Sequence, residues 1–475
     1  MKTTSSSFNI IKIASQCAVL ALLGTAAWAN PPQFPPESPL EIAVPAFQFK
    51  TLSCGLRVLF LHDDRLPLVS GSLRLPGGNV SDPSGKEGLA ALTAAALRNG
   101  GAGRLKPEAF DKALENKAIS MGCASEAEDF NATFSCLAED LPSALGYFAD
   151  LVRHPGFDDK RLATDQLDQA DELKRVEDTP DSITRVLFTK SLFGRSPYGR
   201  WGSPSSMKKL SVKDVRNFYS AHFGPRGSLL VITGKFDEAA VLASLEGLFK
   251  GWKGQSKTPA YQDAEPLGPT IYFFPKDVTQ VFIRFGLPGL KRHDPRDVPL
   301  QVANYVLGGS GFTSRLMREI RSNRGLAYFV DSYFLPYNIR GPFQVVGGTR
   351  PDSVKEYLTV MFEQLAQYSK EGPTEAEMES ARKGMIEVYA YNFESSFNLA
   401  TYEGSLAFNA YPEDYLATFR DRIKAVTVSQ AAQSMKDILD QKNWILVVCG
   451  PDGLQKELEG FGKVVTVKSV FAALP

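Results

Sequence analysis

Ser228-Leu229-Leu230-Val231-Ile232-Thr233-Gly234 returns, 216 residues later, as Trp444-Ile445-Leu446-Val447-Val448-Cys449-Gly450. Both are short apolar runs closed by glycine, the pattern of a buried strand. Each follows an amphipathic, helix-like stretch, opened by Leu210-Ser211-Val212 in the first case and Val426-Thr427-Val428 in the second. The offset is 216 at the helix start (210 to 426) and again at the strand (228 to 444). Agreement at both ends of a helix–strand block marks a duplicated unit.

Working outward, each copy begins with strand-like runs, at 57–61 and 68–75 in the first and at 271–274 and 281–287 in the second. Long helical patterns follow, for example at 353–368 and 375–391. Strands and helices segregate instead of alternating one by one, which predicts an α+β fold of two homologous domains, each an antiparallel sheet packed with helices. The polar segment 253–270, with three prolines and two glycines, reads as a linker between domains at 43–252 and 271–475. The Pro-rich residues 30–42 read as an extended arm.

The first residues carry an export pattern. Lys2 and Lys12 precede an apolar run at 13–27, and Ala27-Trp28-Ala29 fits a small-x-small cleavage site, giving a signal peptide of residues 1–29. The expectation is an exported, periplasmic protein without a membrane span, because the run is short and no later segment is long and apolar enough. Cys17 follows Gln16 and lies before most of the run, which argues against a lipid anchor. With Lys plus Arg equal to Asp plus Glu at 53 each, the charge balance gives no footprint for nucleic acid. Four cysteines lie beyond the leader, Cys54, Cys123, Cys136 and Cys449, and no C-x-x-C pair occurs. Cys123 and Cys136 flank a predicted hairpin, formed by 119–123 and 130–136, and are either a disulfide or two separate thiols.

Asp82-Pro83-Ser84-Gly85-Lys86-Glu87-Gly88 leads into an Ala- and Leu-rich helix at 89–98, stopped by Asn99-Gly100-Gly101. Two histidines four apart on such a helix can grip one metal ion. The four histidines of this chain, His62, His154, His222 and His293, are scattered and none lies on that helix. They read as structural or surface residues. No G-x-S-x-G elbow or other nucleophile–base set supports a lone hydrolase. The glycines Gly308, Gly309 and Gly311 lack the Lys-Ser/Thr of a phosphate loop and read as a tight turn.

The frame 82–97 resembles the entry to the active-site helix of the insulinase/pitrilysin-type zinc peptidases, which share the duplicated fold of the mitochondrial processing peptidases. The family motif H-x-x-E-H falls on Ala91, Ala94 and Ala95, so all three of its chemical groups are replaced by methyls. The resemblance places the family's third ligand at Glu172, in Glu172-Leu173-Lys174-Arg175-Val176-Glu177-Asp178-Thr179-Pro180, with Asp165 where a further glutamate often stands. In the second half, residues 307–316 run into Arg321-Ser322-Asn323-Arg324-Gly325-Leu326-Ala327-Tyr328, which resembles the family's Gly-rich segment and R-x-x-R-G-L-A-Y motif. There an arginine and a tyrosine hydrogen-bond the substrate peptide near the scissile bond; the matching residues are Arg321 and Tyr328. The hairpin edge, where the family adds a peptide as an extra strand, departs from the usual pattern at Ala124-Ser125-Glu126-Ala127.

Some bacterial members of that family work as pairs, one subunit holding zinc and the other supplying the Arg/Tyr pair. The resemblance therefore implies a subunit that binds no cofactor itself, a zinc-bearing homologous partner, peptide substrates and no nucleic acid. A non-proteolytic scaffold or peptide-binding protein is the alternative.

Overall fold

The computed structural model describes residues 44–45, 47–256, 261–264, 266 and 268–474. The expected signal peptide, the arm and part of the linker lie outside them. The first six strands are β1 (Gln48–Thr51), β2 (Arg57–His62), β3 (Leu68–Pro76), β4 (Ser120–Ser125), β5 (Asp129–Leu137) and β6 (Leu229–Gly234). They make one sheet in the order β1-β2-β6-β3-β5-β4. The other six are β7 (Thr270–Pro275), β8 (Val281–Pro288), β9 (Ala327–Phe334), β10 (Pro342–Thr349), β11 (Ile445–Gly450) and β12 (Val464–Thr466). Their order is β12-β7-β11-β8-β10-β9. From the second position onward the two orders correspond strand for strand, with the repeated runs as β6 and β11.

Both sheets are mixed, where wholly antiparallel ones were expected. β6 runs parallel to β2 and antiparallel to β3; β11 runs parallel to β7 and antiparallel to β8. The reason is connectivity: β6 and β11 arrive after long helical excursions, which can return a strand in either direction, whereas a tight hairpin forces antiparallel pairing. The outer strands break the correspondence, since β1 is antiparallel to β2 but β12 is parallel to β7. The segregation of strands and helices keeps the fold in the α+β class.

The repeated helices are Val212–His222 and Val428–Leu439. Each opens with a reciprocal cap, Ser211 with Asp214 and Thr427 with Gln430. A third pair obeys the same offset: the helices Pro180–Phe193 and Ser396–Phe408. These two are exchanged between the halves. Pro180–Phe193 lies on β8 and β11 of the second sheet, and Ser396–Phe408 lies on β6 of the first. Ile183, Val186, Leu187 and Phe188 are buried among Tyr272, Ile445 and Val447. Each such side chain contributes about 1.5–3 kcal/mol by leaving water.

Glycine makes both exchanges close. A Cβ on Gly286 of β8 would stand 2.4 Å from Phe188 Cζ, and one on Gly404 would stand 2.4 Å from Val231 Cγ2. Polar ties secure the crossings: Arg284 on β8 donates to Asp181 at 2.9 Å, and Arg74 on β3 donates to Ser405 at 2.7 Å. The tip of the β4–β5 hairpin adds a third tie. Glu128 accepts from the Asn338 N–H at 2.7 Å and from the Tyr198 hydroxyl, and pairs with Arg292 at 2.8 Å.

The four described cysteines are free thiols. Across the predicted hairpin, Ala132 stands opposite Cys123, while Cys136 faces Val69 of β3, beyond the end of β4. The register keeps the two sulfurs apart. Burial pushes the Cys123 thiol up to about 12 and Cys136 to about 11, so neither is a ready nucleophile. No helix among the described residues is long and apolar enough to cross a membrane.

Candidate functional site

The alanine helix spans Leu89–Asn99. Asp82 holds its start: one carboxylate oxygen accepts from the Gly88 N–H and the other from the Ala90 N–H, both at 2.7 Å. Burial nevertheless pushes this carboxyl up to about 7. Leu92, Thr93, Ala94, Ala96 and Leu97 are buried, while Ala91 and Ala95, one turn apart, are partly open. That open face is the one on which i, i+4 ligands would sit. Ala94 instead belongs to the core of the first half, where a carboxylate would lose its water.

Ala91 and Glu172 line the same cavity, of about 520 Å³, so the structure brings together the first motif position and the third-ligand position. Ala94 and Ala95 are not part of its lining. The cavity is walled by both halves, with Phe188 and Trp201 from the first and Tyr333 and Leu335 from the second. The residues present do not fit a metal ion. Zinc needs three or four N, O or S donors; methyls stand at 91 and 95, and the described residues contain no cluster of three metal-ligating side chains. The rest of the Glu172 segment is structural. Asp165 accepts from Asn99 at 2.7 Å, tying the Asp159–Arg175 helix to the end of the alanine helix. Glu177 accepts from Ser469 Oγ and the Val470 N–H, fastening the C-terminal segment.

Arg321 and Tyr328 do meet, but away from that cavity. Arg321 sits on a π-helical turn, Met317–Ser322, and Tyr328 on the edge strand β9. The register between β9 and β10 slips here: Val330 faces Gly347 and Ala327 faces Thr349. Two β9 residues, Tyr328 and Phe329, therefore stand against Gly348 alone. π-turns and β-bulges both redirect side chains and recur at functional sites. The Arg321 guanidinium lies 4.9 Å from the Tyr328 ring centre and 4.7 Å from that of Phe312. Phe312 is 71% exposed and Tyr328 74%.

The electrostatics leave Arg321 uncommitted. Its neighbours Arg318 and Arg324 both pair with Glu319, whose carboxyl is held below its usual range chiefly by Arg324. Arg315 forms a two-pronged bridge to Glu377, at 2.8 and 2.6 Å, under the Tyr368 ring. Among the described residues, no carboxylate pairs with Arg321 and no group bonds the Tyr328 hydroxyl. Near two aromatic rings, which take none of its hydrogen bonds, the guanidinium keeps its N–H donors free of partners among the described residues. An N–H fork beside a phenol can donate to an oxygen on which negative charge grows.

Sequence reasoning missed Phe312. Its signal was modest: a large aromatic between Gly311 and Thr313, where a solvent-facing turn has no use for one. The glycine segment meets the expectation of a tight turn at Gly311, whose φ is +60° at the start of the Gly311–Thr313 turn, and departs from it upstream. Tyr305–Gly309 continues a helix as a π-turn, and a Cβ on Gly308 would meet Ser332 Oγ at 2.3 Å. Gly308 is needed for close approach to β9, not for a tight turn. The histidines are scattered as expected: His62 rests near Phe236, His222 on Phe218 and His293 on Tyr411.

Two duplicated α+β halves, each a six-stranded mixed sheet with helices, are the architecture of a peptidase-derived protein, and comparison with known proteins bears on that class directly. Residues 57–200 match the model described as insulinase (peptidase family M16), and residues 209–385 match the peptidase M16 inactive domain. The chain belongs to this family. It is 29% identical over 255 residues to an uncharacterized zinc protease of Streptomyces coelicolor, covering 51% of this chain and 54% of that one. It is 26% identical over 339 residues to the non-peptidase homolog YmxG of Helicobacter pylori, covering 69% and 76%. The aligned region thus spans about half the length of the Streptomyces relative. Among solved structures, a peptidase M16 inactive domain from Pseudomonas fluorescens superposes with a TM-score of 0.79 at 25% identity, covering 86% of this chain and 98% of that one. A protease from Helicobacter pylori, 17% identical, shares the fold with a TM-score of 0.76, covering 86% and 100%.

Proposed function

We propose that this chain is the subunit of a heteromeric metallopeptidase that holds no zinc itself and lends Arg321 and Tyr328 to the metal site of a homologous partner. The observation that carries the reading is the open Phe312–Arg321–Tyr328 cluster: donors with no partner among the described residues, held out by a bulge and a π-turn. Exposed to water these donors would do little. Covered by a second subunit they would act in a lower dielectric, where a fixed donor is worth far more. Their role is to donate hydrogen bonds to the carbonyl oxygen of a bound peptide as water adds to the carbonyl carbon and negative charge grows on that oxygen, before the carbon–nitrogen bond breaks. Export to the periplasm is part of the proposal, and cell fractionation tests it.

The decisive experiment reconstitutes the chain with a zinc-bearing homologue and follows peptide cleavage. Arg321→Ala should lower kcat/KM by about a hundredfold or more and Tyr328→Phe by about tenfold, with pairing unchanged. The alternative, a non-proteolytic scaffold or peptide-binding protein, is favoured by the methyls at 91, 94 and 95 and by the likeness to a non-peptidase homolog. It wins if both variants leave the pair fully active.

A further inference from the structure

An arginine that donates to a developing charge must keep its guanidinium within about 0.5 Å of one place. Its long side chain has many rotamers, so something must restrict it. Elsewhere in this segment carboxylates do so: Glu319 takes Arg318 and Arg324, and Glu377 takes Arg315. A carboxylate also consumes the N–H donors it holds. Arg321 has no such partner among the described residues. The contacts at its guanidinium are the rings of Phe312, at 4.7 Å, and Tyr328, at 4.9 Å. A ring attracts the cation and leaves its N–H donors available.

The two rings differ. Tyr328 carries a hydroxyl that can itself donate to a substrate. Phe312 has no side-chain donor or acceptor, and its ring is 71% exposed. The backbone beneath that ring is braced. Phe312 is the middle residue of the Gly311–Thr313 turn, in which Thr313 Oγ1 donates to Ser310 Oγ and Ser314 Oγ donates to the Gly311 carbonyl, both at 2.8 Å. Ser314 is fully buried. A braced turn that carries a ring into solvent fixes where the ring stands, and with it the guanidinium alongside.

We infer that Phe312 is a positioning residue: its ring holds the Arg321 guanidinium in place with the donors unspent, and it acts on the reaction only through Arg321. The inference rests on the subunit role proposed above. In water such a contact is worth a factor of a few; covered by a second subunit it is worth about tenfold or more.

Two measurements test it. In the full chain alone, nitrogen-15 relaxation at the Arg321 Nε–H reports how tightly the side chain is held. Phe312→Ala should lower that order parameter and Phe312→Trp should preserve it. In the pair reconstituted with a zinc-bearing homologue, Phe312→Ala should lower kcat by about tenfold with KM little changed, and Phe312→Trp should keep most of the activity. In an Arg321→Ala background, Phe312→Ala should cost nothing further. The ring is exposed, so thermal midpoints should match the wild type. Full activity of Arg321→Ala overturns the subunit reading and this role with it. Full activity of Phe312→Ala beside a crippled Arg321→Ala overturns this role alone. So does an unchanged order parameter, or an equal loss with and without Arg321, which would put the ring on the substrate. Weaker pairing with kcat unchanged at saturation also overturns it and makes Phe312 a docking anchor.

Discussion

The open face of the alanine helix and the Arg321–Tyr328 cluster are opposites. The first is half-buried, lies partly beside a cavity and carries only methyls; the second is open to solvent and carries two exposed rings around a guanidinium, with the Arg321 and Tyr328 donors unspent. Small apolar groups in a sheltered place need no partner. A phenylalanine and a tyrosine more than two-thirds exposed, flanking an unpaired guanidinium, gain little for their own chain; an exposed cation–π contact contributes only about 0.5–1 kcal/mol. Polar groups are absent where the chain could shelter them and present where another surface would have to.

That contrast can be broken most directly by refilling the first region. Ala91→His with Ala95→His would place two imidazoles one turn apart, with Glu172 across the cavity as a third donor. The expected result is about one equivalent of bound zinc, against none for the unaltered chain, by elemental analysis. Removal of that zinc by Glu172→Gln would sharpen the assignment; failure of the double variant to bind would show that Glu172 no longer faces the helix as a ligand must.

A second test asks whether the two regions share one folding unit. Glu128→Ala removes the acceptor for Tyr198 and the Asn338 N–H and leaves Arg292, 14% exposed, without its carboxylate. The loss should be about 3–5 kcal/mol in denaturant unfolding, the usual cost of breaking a buried pair. A loss under 1 kcal/mol would mean that the hairpin tip does not tie the halves together.

pH offers a gentler probe. Burial raises Asp82 and Glu403 to about 7 and Asp129 to about 6. Their stabilising contribution is complete below the unfolded carboxylate values near 4 and is lost as pH rises through 6–7. Glu377 goes the other way. Its own burial opposes ionisation, but the hydrogen bond from Arg315 and the Thr374 N–H prevail and hold it near 2. Its contribution is present above about 4.5 and fades as pH falls toward 2. The melting temperature should therefore peak near pH 4–4.5, where Glu377 is ionised and the three raised carboxyls are still protonated, and be a few degrees lower at pH 8. A flat profile between pH 5 and 8 would contradict these assignments.

The smallest effect compares the copies themselves. Ser211→Ala and Thr427→Ala each delete one reciprocal helix cap and should each cost about 1 kcal/mol in unfolding experiments. A large difference between the two would show that the copies no longer bear load alike.

Much of the fold is legible because its signals are short-range. The strand runs at 57–61, 68–75, 271–274 and 281–287 all lie inside observed strands, and the alanine helix begins at Leu89 as its composition predicts. The Arg/Tyr pair was implied by the resemblance of residues 321–328 to the family motif, and the two side chains do come together. Phe312 and the bulge at Tyr328 could not be read. Each depends on what another part of the chain places nearby, and no periodicity records that.

The sequence by itself determined the duplication, the strands and helices of each copy, and the methyls where ligands would stand. The elements rest on backbone propensity and side-chain period, which act within a few residues, and the reading of the methyls rests on the resemblance to the family motif. Only the tertiary structure decided that Pro180–Phe193 would cover the second sheet and Ser396–Phe408 the first, and that the cavity beside Ala91 would be walled by both halves. An apolar helix face specifies burial, not the sheet that provides it. Here the choice lies in shape and charge at a distance: Gly286 admitting Phe188, Gly404 meeting Val231, and Arg284 reaching Asp181.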